Sequence, residues 1–364
     1  MLIFVHLLDD FSGSPRVLRD LISSLEDLDP DRQLIFGGSD GFLSDLSIRT
    51  RRHLYKKSRS RLWQASLYIL AQVDLFFKVQ SAVRQNTIHG RRSLVVVNAV
   101  LPIGAVLGAF VARTKTVLIM HETTFRPRFL RNIYRFVINQ CADDVVYVSH
   151  YLKSVEFFDR PKLHVLPNGL RSDFSCEPSL NVKAKFEGRT ILFVGSLKEY
   201  KGLRQFCELT KLLPDFRFLA VLNCEVEQAR QYFYENRLEA NATYVVRPSD
   251  LAELYSSAML VMNLSIPELW IETFGLTILE GMHFGCPVIV PKVGGHCDFV
   301  SCRHGLLEDS VNTSTIADFI RELANDFGRY KTYSDACTED AANYSHAKTS
   351  VNNKKFFNSL MLSV

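Results

Sequence analysis

The 364-residue chain has no Cys-x-x-Cys pair, no low-complexity tract and no internal repeat. The missing repeats exclude a solenoid, and the missing biased tracts exclude a fibrous or disordered chain. Eight cysteines are scattered, at Cys141, Cys176, Cys207, Cys224, Cys286, Cys297, Cys302 and Cys337. Several sit in apolar runs, where a free thiol acts as a small hydrophobe. Cys297 and Cys302 lie near His296 and His304, but the spacing matches no zinc module, so unpaired thiols in the cytosol are expected. No D-x-D motif stands at a strand end, since Asp9-Asp10 and Asp143-Asp144 are adjacent pairs, and no bound metal is expected. The opening MLIFVHLLDDFSGSPRV lacks a positive n-region and soon meets acidic residues, so it reads as a first strand and not a signal peptide. Strong charge imbalance is missing too: the formal net charge is +4.

What is present is an ordinary globular composition, 47% hydrophobic and 23% charged, on a chain long enough for two domains. One stretch, Ser93 to Ala112, is apolar enough to pass as a membrane span. Asn98, Pro102 and Gly104 sit where a strand would hand over to a helix, so a buried strand and helix are expected instead.

Short β-branched runs alternate with longer amphipathic stretches, the grammar of parallel α/β sheets. LIFVHLL, RQLIFGG, LVVVNAV, KTVLIMH and DVVYVS read as strands in the first half. ILFVGSL, FRFLAVLN, ATYVV, AMLVMNLS and CPVIVP do so in the second. The expected fold class is α/β, with two Rossmann-like domains facing each other across a cleft. Pro167-Asn168-Gly169 is a turn signal between them, giving expected domains 1–167 and 168–344.

The most informative segment is PELWIETFGLTILEGMHFGCPVIVPKVGGHCDFV, residues 267–300. Glu272 stands in a loop after a predicted strand, and a helix is expected to begin near Gly275 to Thr277. Free N–H groups and the dipole at a helix start make a seat for a pyrophosphate, and Gly275 lets a ligand approach the backbone. Glu280, on the first turns, can accept ribose hydroxyls, while Glu272 reaches another part of the same ligand. The bland alternative is a capping box from Thr277 to Glu280 and a solvated loop acid at Glu272. Phe274-Gly275, Gly285-x-Pro287 and Gly294-Gly295 in the same segment favour the ligand site.

This segment resembles the E-x7-E signature of glycosyltransferase family 4, the retaining, GT-B, group 1 glycosyl transferases; Gly281 stands where alanine is usual. The resemblance is dense from Val165 to Tyr344 and thinner before that. It implies a GT-B fold, with a last helix at about 345–364 packing back on the first domain. Glu272, Lys201 and His121 are then the candidate catalytic residues. Glu280, Ser196, Arg204, Phe274, Gly275, Leu276, Thr277, Ser12 and Gly13 are candidate donor-binding residues. In the family a lysine placed like Lys201 binds the donor phosphates, and an arginine usually stands where this chain has Ser196. Arg204, three residues beyond Lys201, is the candidate substitute cation. Ser12-Gly13 resembles the family's N-terminal glycine loop, and His121-Glu122 its H-[DE] position near the acceptor.

Two basic clusters remain, RTRRHLYKKSRSRLW at 49–63 and the arginines 126, 128, 131 and 135. They read as solvated faces or as surfaces for an anionic partner. Given the resemblance, the functional choice is an anionic membrane surface or acceptor at Arg51, Arg52, Lys56, Lys57, Arg126 and Arg128, with no nucleic-acid partner. The expected activity is metal-independent, retaining transfer of a sugar from a nucleotide-diphosphate-sugar to an acceptor hydroxyl. The acceptor would be a glycan or lipid-linked, as in bacterial surface-polysaccharide assembly (O-antigen, capsule or exopolysaccharide). The expected place is the cytoplasm, including the inner face of the membrane. The alternatives are another GT-B activity, such as a nucleotide-sugar epimerase, and a degenerate scaffold that binds nucleotide or lipid.

Overall fold

The β-branched runs form strands because both faces of each sheet are covered, so nearly every side chain along a central strand is buried. The structure is a computed structural model; it describes residues 1–38, 41–58, 60–123, 128–174 and 180–363. Its chain divides into two units, Met1–Asn168 with Ala347–Val364, and Gly169–His346.

The first unit holds β1 (Leu2–Asp9), β2 (Gln33–Gly38), β3 (Arg49–Arg52), β4 (Leu94–Asn98), β5 (Lys115–Met120), β6 (Asp144–Tyr147) and β7 (Lys162–Val165). They form one parallel sheet in the order β3-β2-β1-β4-β5-β6-β7. The strand order reverses between β1 and β4, and ligands of such sheets sit where that happens, at the carboxyl ends of the strands. The apolar run Ser93–Ala112 is β4 followed by the helix Ile103–Val111. Among the described residues no helix is long and apolar enough to cross a membrane. The helix His346–Leu362 packs on this first unit: Phe357 and Leu360 are buried, Phe356 meets the ring of His164 edge-on, and Lys354 pairs with Asp27 at 2.6 Å.

The second unit holds β8 (Thr190–Ser196), β9 (Arg217–Asn223), β10 (Ala242–Val246), β11 (Leu260–Met262), β12 (Val288–Val290) and β13 (Gly305–Leu307). Its parallel sheet runs β10-β9-β8-β11-β12-β13, with the reversal between β8 and β11. Phe193, Phe206, Phe218 and Tyr330 fill the core beneath it, and the Tyr330 hydroxyl donates to the Met259 carbonyl at 3.1 Å. Each unit is a Rossmann-like α/β domain.

Three strands were not legible beforehand. β3 and β13 are the edges of their sheets and β7 is another, and each carries few consecutive apolar residues. In β3 the arginines themselves line an exposed edge, where charge blocks pairing with another chain.

Candidate active site

In the second unit the reversal point gathers the signature residues. β8 ends at Ser196, and a single turn, Glu199–Lys201, precedes Gly202 and the helix Leu203–Leu212. β11 ends at Met262, and the loop after it carries Glu272 before the helix Leu276–His283. Because β8 and β11 are neighbours, Lys201 and Glu272 meet although they are 71 residues apart: Lys201 Nζ donates to Glu272 Oε2 at 2.7 Å. Burial works to raise the Glu272 carboxyl, but the Lys201 ammonium outweighs it, helped by His296 and Asn263, and holds it below its ordinary value.

Gly275 is the N-cap of the following helix, at φ +97°, and has no side chain with which to cap it. Its first amides and dipole therefore suit an anion. The capping-box alternative is overturned, since Thr277 lies inside the helix and Glu280 bonds elsewhere. Glu280 is buried and accepts from the Tyr255 hydroxyl at 2.9 Å. Burial and the neighbouring Glu280 charge push the Tyr255 phenol far above its ordinary value, so it stays a donor. Phe274 is committed to packing, with its ring against Phe299 and Tyr344. Leu276, Thr277 and Ser196 are half-buried, whereas Arg204 is exposed.

Sequence reasoning weighed His296 only as a zinc ligand and not as a neighbour of the Gly275 helix start. His296 is fully buried, its Cβ would lie 3.1 Å from a Cβ placed on Gly275, and Nε2–H donates to the Pro291 carbonyl at 2.7 Å. His304 is engaged by Asp340 at 2.7 Å and accepts from the Ser301 amide at 2.9 Å.

In the first unit Asn98, at the end of β4, is the hub that the sequence did not single out. Its Nδ2 donates to the Ser14 carbonyl at 3.3 Å, which fixes the amide's orientation and turns Oδ1 toward His121 Nε2 at 2.8 Å. His121 therefore carries its proton on Nε2 and presents Nδ1 as an acceptor. His6 Nδ1 lies 3.1 Å from the same Asn98 amide nitrogen. Burial lowers His121 to about 3, with the charge of His6 adding to it, and burial lowers His6 to about 4. Ser12 precedes the helix Gly13–Ser24, but its hydroxyl bonds Asp10 and does not cap the helix.

These two histidines have a consequence for stability. Folded, they bind fewer protons near pH 5 than ordinary histidines of the unfolded chain, so stability is full above about pH 6.5 and falls below it at ~1.4 kcal/mol per pH unit per histidine. For His6 the loss runs from the ordinary value of 6.5 down to about 4. Urea midpoints measured from pH 7.5 to 4.5 should therefore drop less steeply in His6→Leu than in the native protein. Parallel curves would refute the assignment.

The basic cluster 49–63 is partly engaged within the unit. Arg52 lies over the Phe36 ring at 4.0 Å, Arg51 bonds Gln85, and Lys57 pairs with Asp10 at 3.0 Å. Lys56 is exposed. Arg126 and the side chain of Arg128 lie outside the described residues, and Arg131 and Arg135 both bond the buried Glu156.

The D-inositol 3-phosphate glycosyltransferase of Corynebacterium diphtheriae is 27% identical over 174 residues, 44% of this chain and 40% of that one. The sucrose-phosphate synthase of Spinacia oleracea is 33% identical over 81 residues, 22% of this chain and 8% of that protein. The matches thus span less than half the length of these relatives. Among solved structures, Anabaena HepE in complex with UDP-glucose superposes with a TM-score of 0.78 at 19% identity, covering 100% of this chain and 99% of that one. WaaG, a glycosyltransferase involved in lipopolysaccharide biosynthesis, superposes with a TM-score of 0.68 at 12% identity over 96% of this chain and 99% of its own. The family model of glycosyl transferases group 1 matches residues 180–340, the stretch that contains Lys201, Glu272 and Glu280, so the second unit carries a glycosyl transferases group 1 segment.

Proposed function

We propose that this protein is a retaining glycosyltransferase of family 4 that moves a sugar from a nucleotide-diphosphate-sugar to an acceptor hydroxyl. The observation that carries the reading is the Lys201–Glu272 pair, set at the reversal of the second sheet beside the glycine-started helix at Gly275. A diphosphate on that helix start puts its charge beside Lys201, and the cation stabilises the leaving group as charge develops. Glu272 orients the sugar, and Glu280, held by Tyr255, accepts the ribose hydroxyls. The donor's anomeric carbon–oxygen bond breaks as the acceptor oxygen attacks from the same face, and the acceptor proton passes to the departing phosphate oxygen. No metal ion is needed in this scheme, because lysine and helix amides supply the positive charge.

The first unit is then the acceptor-binding half, with His121 at its carboxyl edge. Exposed Leu62, Trp63, Ile69, Val73 and Phe77 follow the basic run on the helix Arg61–Ile88. This favours a lipid-linked acceptor at the cytoplasmic face of a membrane, in surface-polysaccharide assembly.

The test is a thermal-shift panel of nucleoside diphosphates and their sugars, beginning with UDP, on the native protein and Glu280→Ala. A ligand at 100 times its Kd stabilises by about 2.7 kcal/mol, a clear rise in Tm. Stabilisation by one diphosphate, lost in Glu280→Ala, is the expected result. If no member of the panel stabilises the native protein, the reading fails and a scaffold with Ser196 in place of the phosphate-binding arginine replaces it.

A further inference from the structure

The residues flanking Lys201 and Glu272 form a contact that the reaction scheme does not use. Tyr200, one residue before Lys201, stacks on Trp270, two residues before Glu272, with ring centroids 5.3 Å apart and planes at 24°. The Ile266 amide donates to the Tyr200 carbonyl at 2.8 Å, and the Trp270 amide donates to the Ile266 carbonyl at 2.9 Å. The turn after β8 and the loop after β11 are therefore joined at three points: a backbone hydrogen bond, an aromatic stack and the Lys201–Glu272 ion pair.

Only one of the three is exposed to competition. A diphosphate arriving at Lys201 competes with Glu272 for the ammonium, since both are anionic oxygen acceptors for the same donor group. The stack and the backbone bond have no such competitor. The lysine also lies 6.0 Å from the Tyr200 ring centroid, so the ring that Trp270 holds bounds the space in which the ammonium moves.

We infer that Trp270 is a positioning residue: through Tyr200 it keeps Lys201 beside the donor phosphates when the ion pair with Glu272 opens. This rests on the donor reading above. A tryptophan that merely filled the loop would affect melting temperature and leave the lysine's task untouched. A positioning tryptophan couples ring loss to two further readouts, the exchange of the Ile266 amide in the ligand-free protein and the affinity for a diphosphate.

The experiment compares the native protein with Trp270→Ala and Trp270→Phe, measuring hydrogen exchange of the 263–272 segment without ligand and the Kd for UDP. The expected result is an Ile266 amide that exchanges at least tenfold faster in Trp270→Ala, a UDP Kd raised about tenfold, and recovery of both in Trp270→Phe. In a Trp63→Phe background Trp270 is the single tryptophan, because the chain has two, and its emission should change on UDP binding. Native exchange rates in Trp270→Ala, or a Kd within twofold of native, would overturn the inference. Should Trp270→Ala fail to fold, Tyr200→Leu removes the other ring and is read by the same criteria. A native protein that binds no nucleoside diphosphate overturns the donor reading and the positioning role together, and the native protein alone reveals that outcome.

Discussion

Lys201→Ala lowers kcat/KM by about 10²–10³-fold while the protein stays folded, measured with the donor that the diphosphate panel identifies. The size follows from where the charge is needed. A nucleoside diphosphate gains negative charge as it leaves, and in the proposed scheme Lys201 is the side-chain cation placed to meet it. Stability changes little, because both members of the Lys201–Glu272 pair keep about a fifth of their side-chain surface exposed, at 19% and 21%. A partly exposed pair of this kind contributes about 1 kcal/mol or less. The pH profile carries a second signature. Without the ammonium, burial is the largest influence on Glu272, and its carboxyl rises from the lowered position it has in the native protein. The acid limb of the rate profile, where Glu272 takes up its proton, should therefore move to higher pH in the variant. Activity within threefold of native would remove Lys201 from the mechanism.

Gly202→Ala should lower Tm by about 5–15 °C, corresponding to roughly 2–4 kcal/mol. Gly202 stands between the turn that ends in Lys201 and the helix Leu203–Leu212, at φ +78°. That left-handed backbone costs an alanine about 1 kcal/mol by itself. A Cβ there would also lie 2.1 Å from the Leu264 carbonyl oxygen and 2.6 Å from the Leu264 Cβ. The nearest obstacle is backbone just beyond β11, which cannot rotate away, so the turn and the β11 loop must separate. Gly188→Ala is the control, since a Cβ there meets nothing within 4 Å. Calorimetry of the two variants decides the matter: a Gly202→Ala melting point within a degree of native would show that the approach is not rigid.

Much of the architecture was legible because central parallel strands must be apolar on both faces. LVVVN and ILFVGS announce themselves for that reason, and both became strands at a reversal point. The edge strands did not, because an edge is not required to be apolar, and RTRR in β3 is mostly exposed. The same contrast runs through the site. Lys201, Glu272 and Glu280 were singled out from a local pattern, whereas what each of them touches depends on strand order. Tyr255 reaches Glu280 from 25 residues away, and Asn98 reaches His121 from the neighbouring strand. His296 was noticed only as a false zinc ligand, since no spacing rule reports that a ring tucks against Gly275. Asn98 was legible only as the end of a strand, since a single amide after an apolar run does not show which side chains it will bond.

The helix His346–Leu362 completes the first unit, although the chain has by then built the whole of the second. During synthesis the first sheet therefore waits for this helix while residues 169–346 emerge, roughly 10–40 s at ordinary ribosomal rates. Over that interval the surfaces destined for Phe357 and Leu360 stay open, and Asp27 lacks Lys354. A chaperone that shields apolar surface has its task in that window. A stop codon near residue 345 would also damage the half of the molecule made first, and spare the half to which it is adjacent.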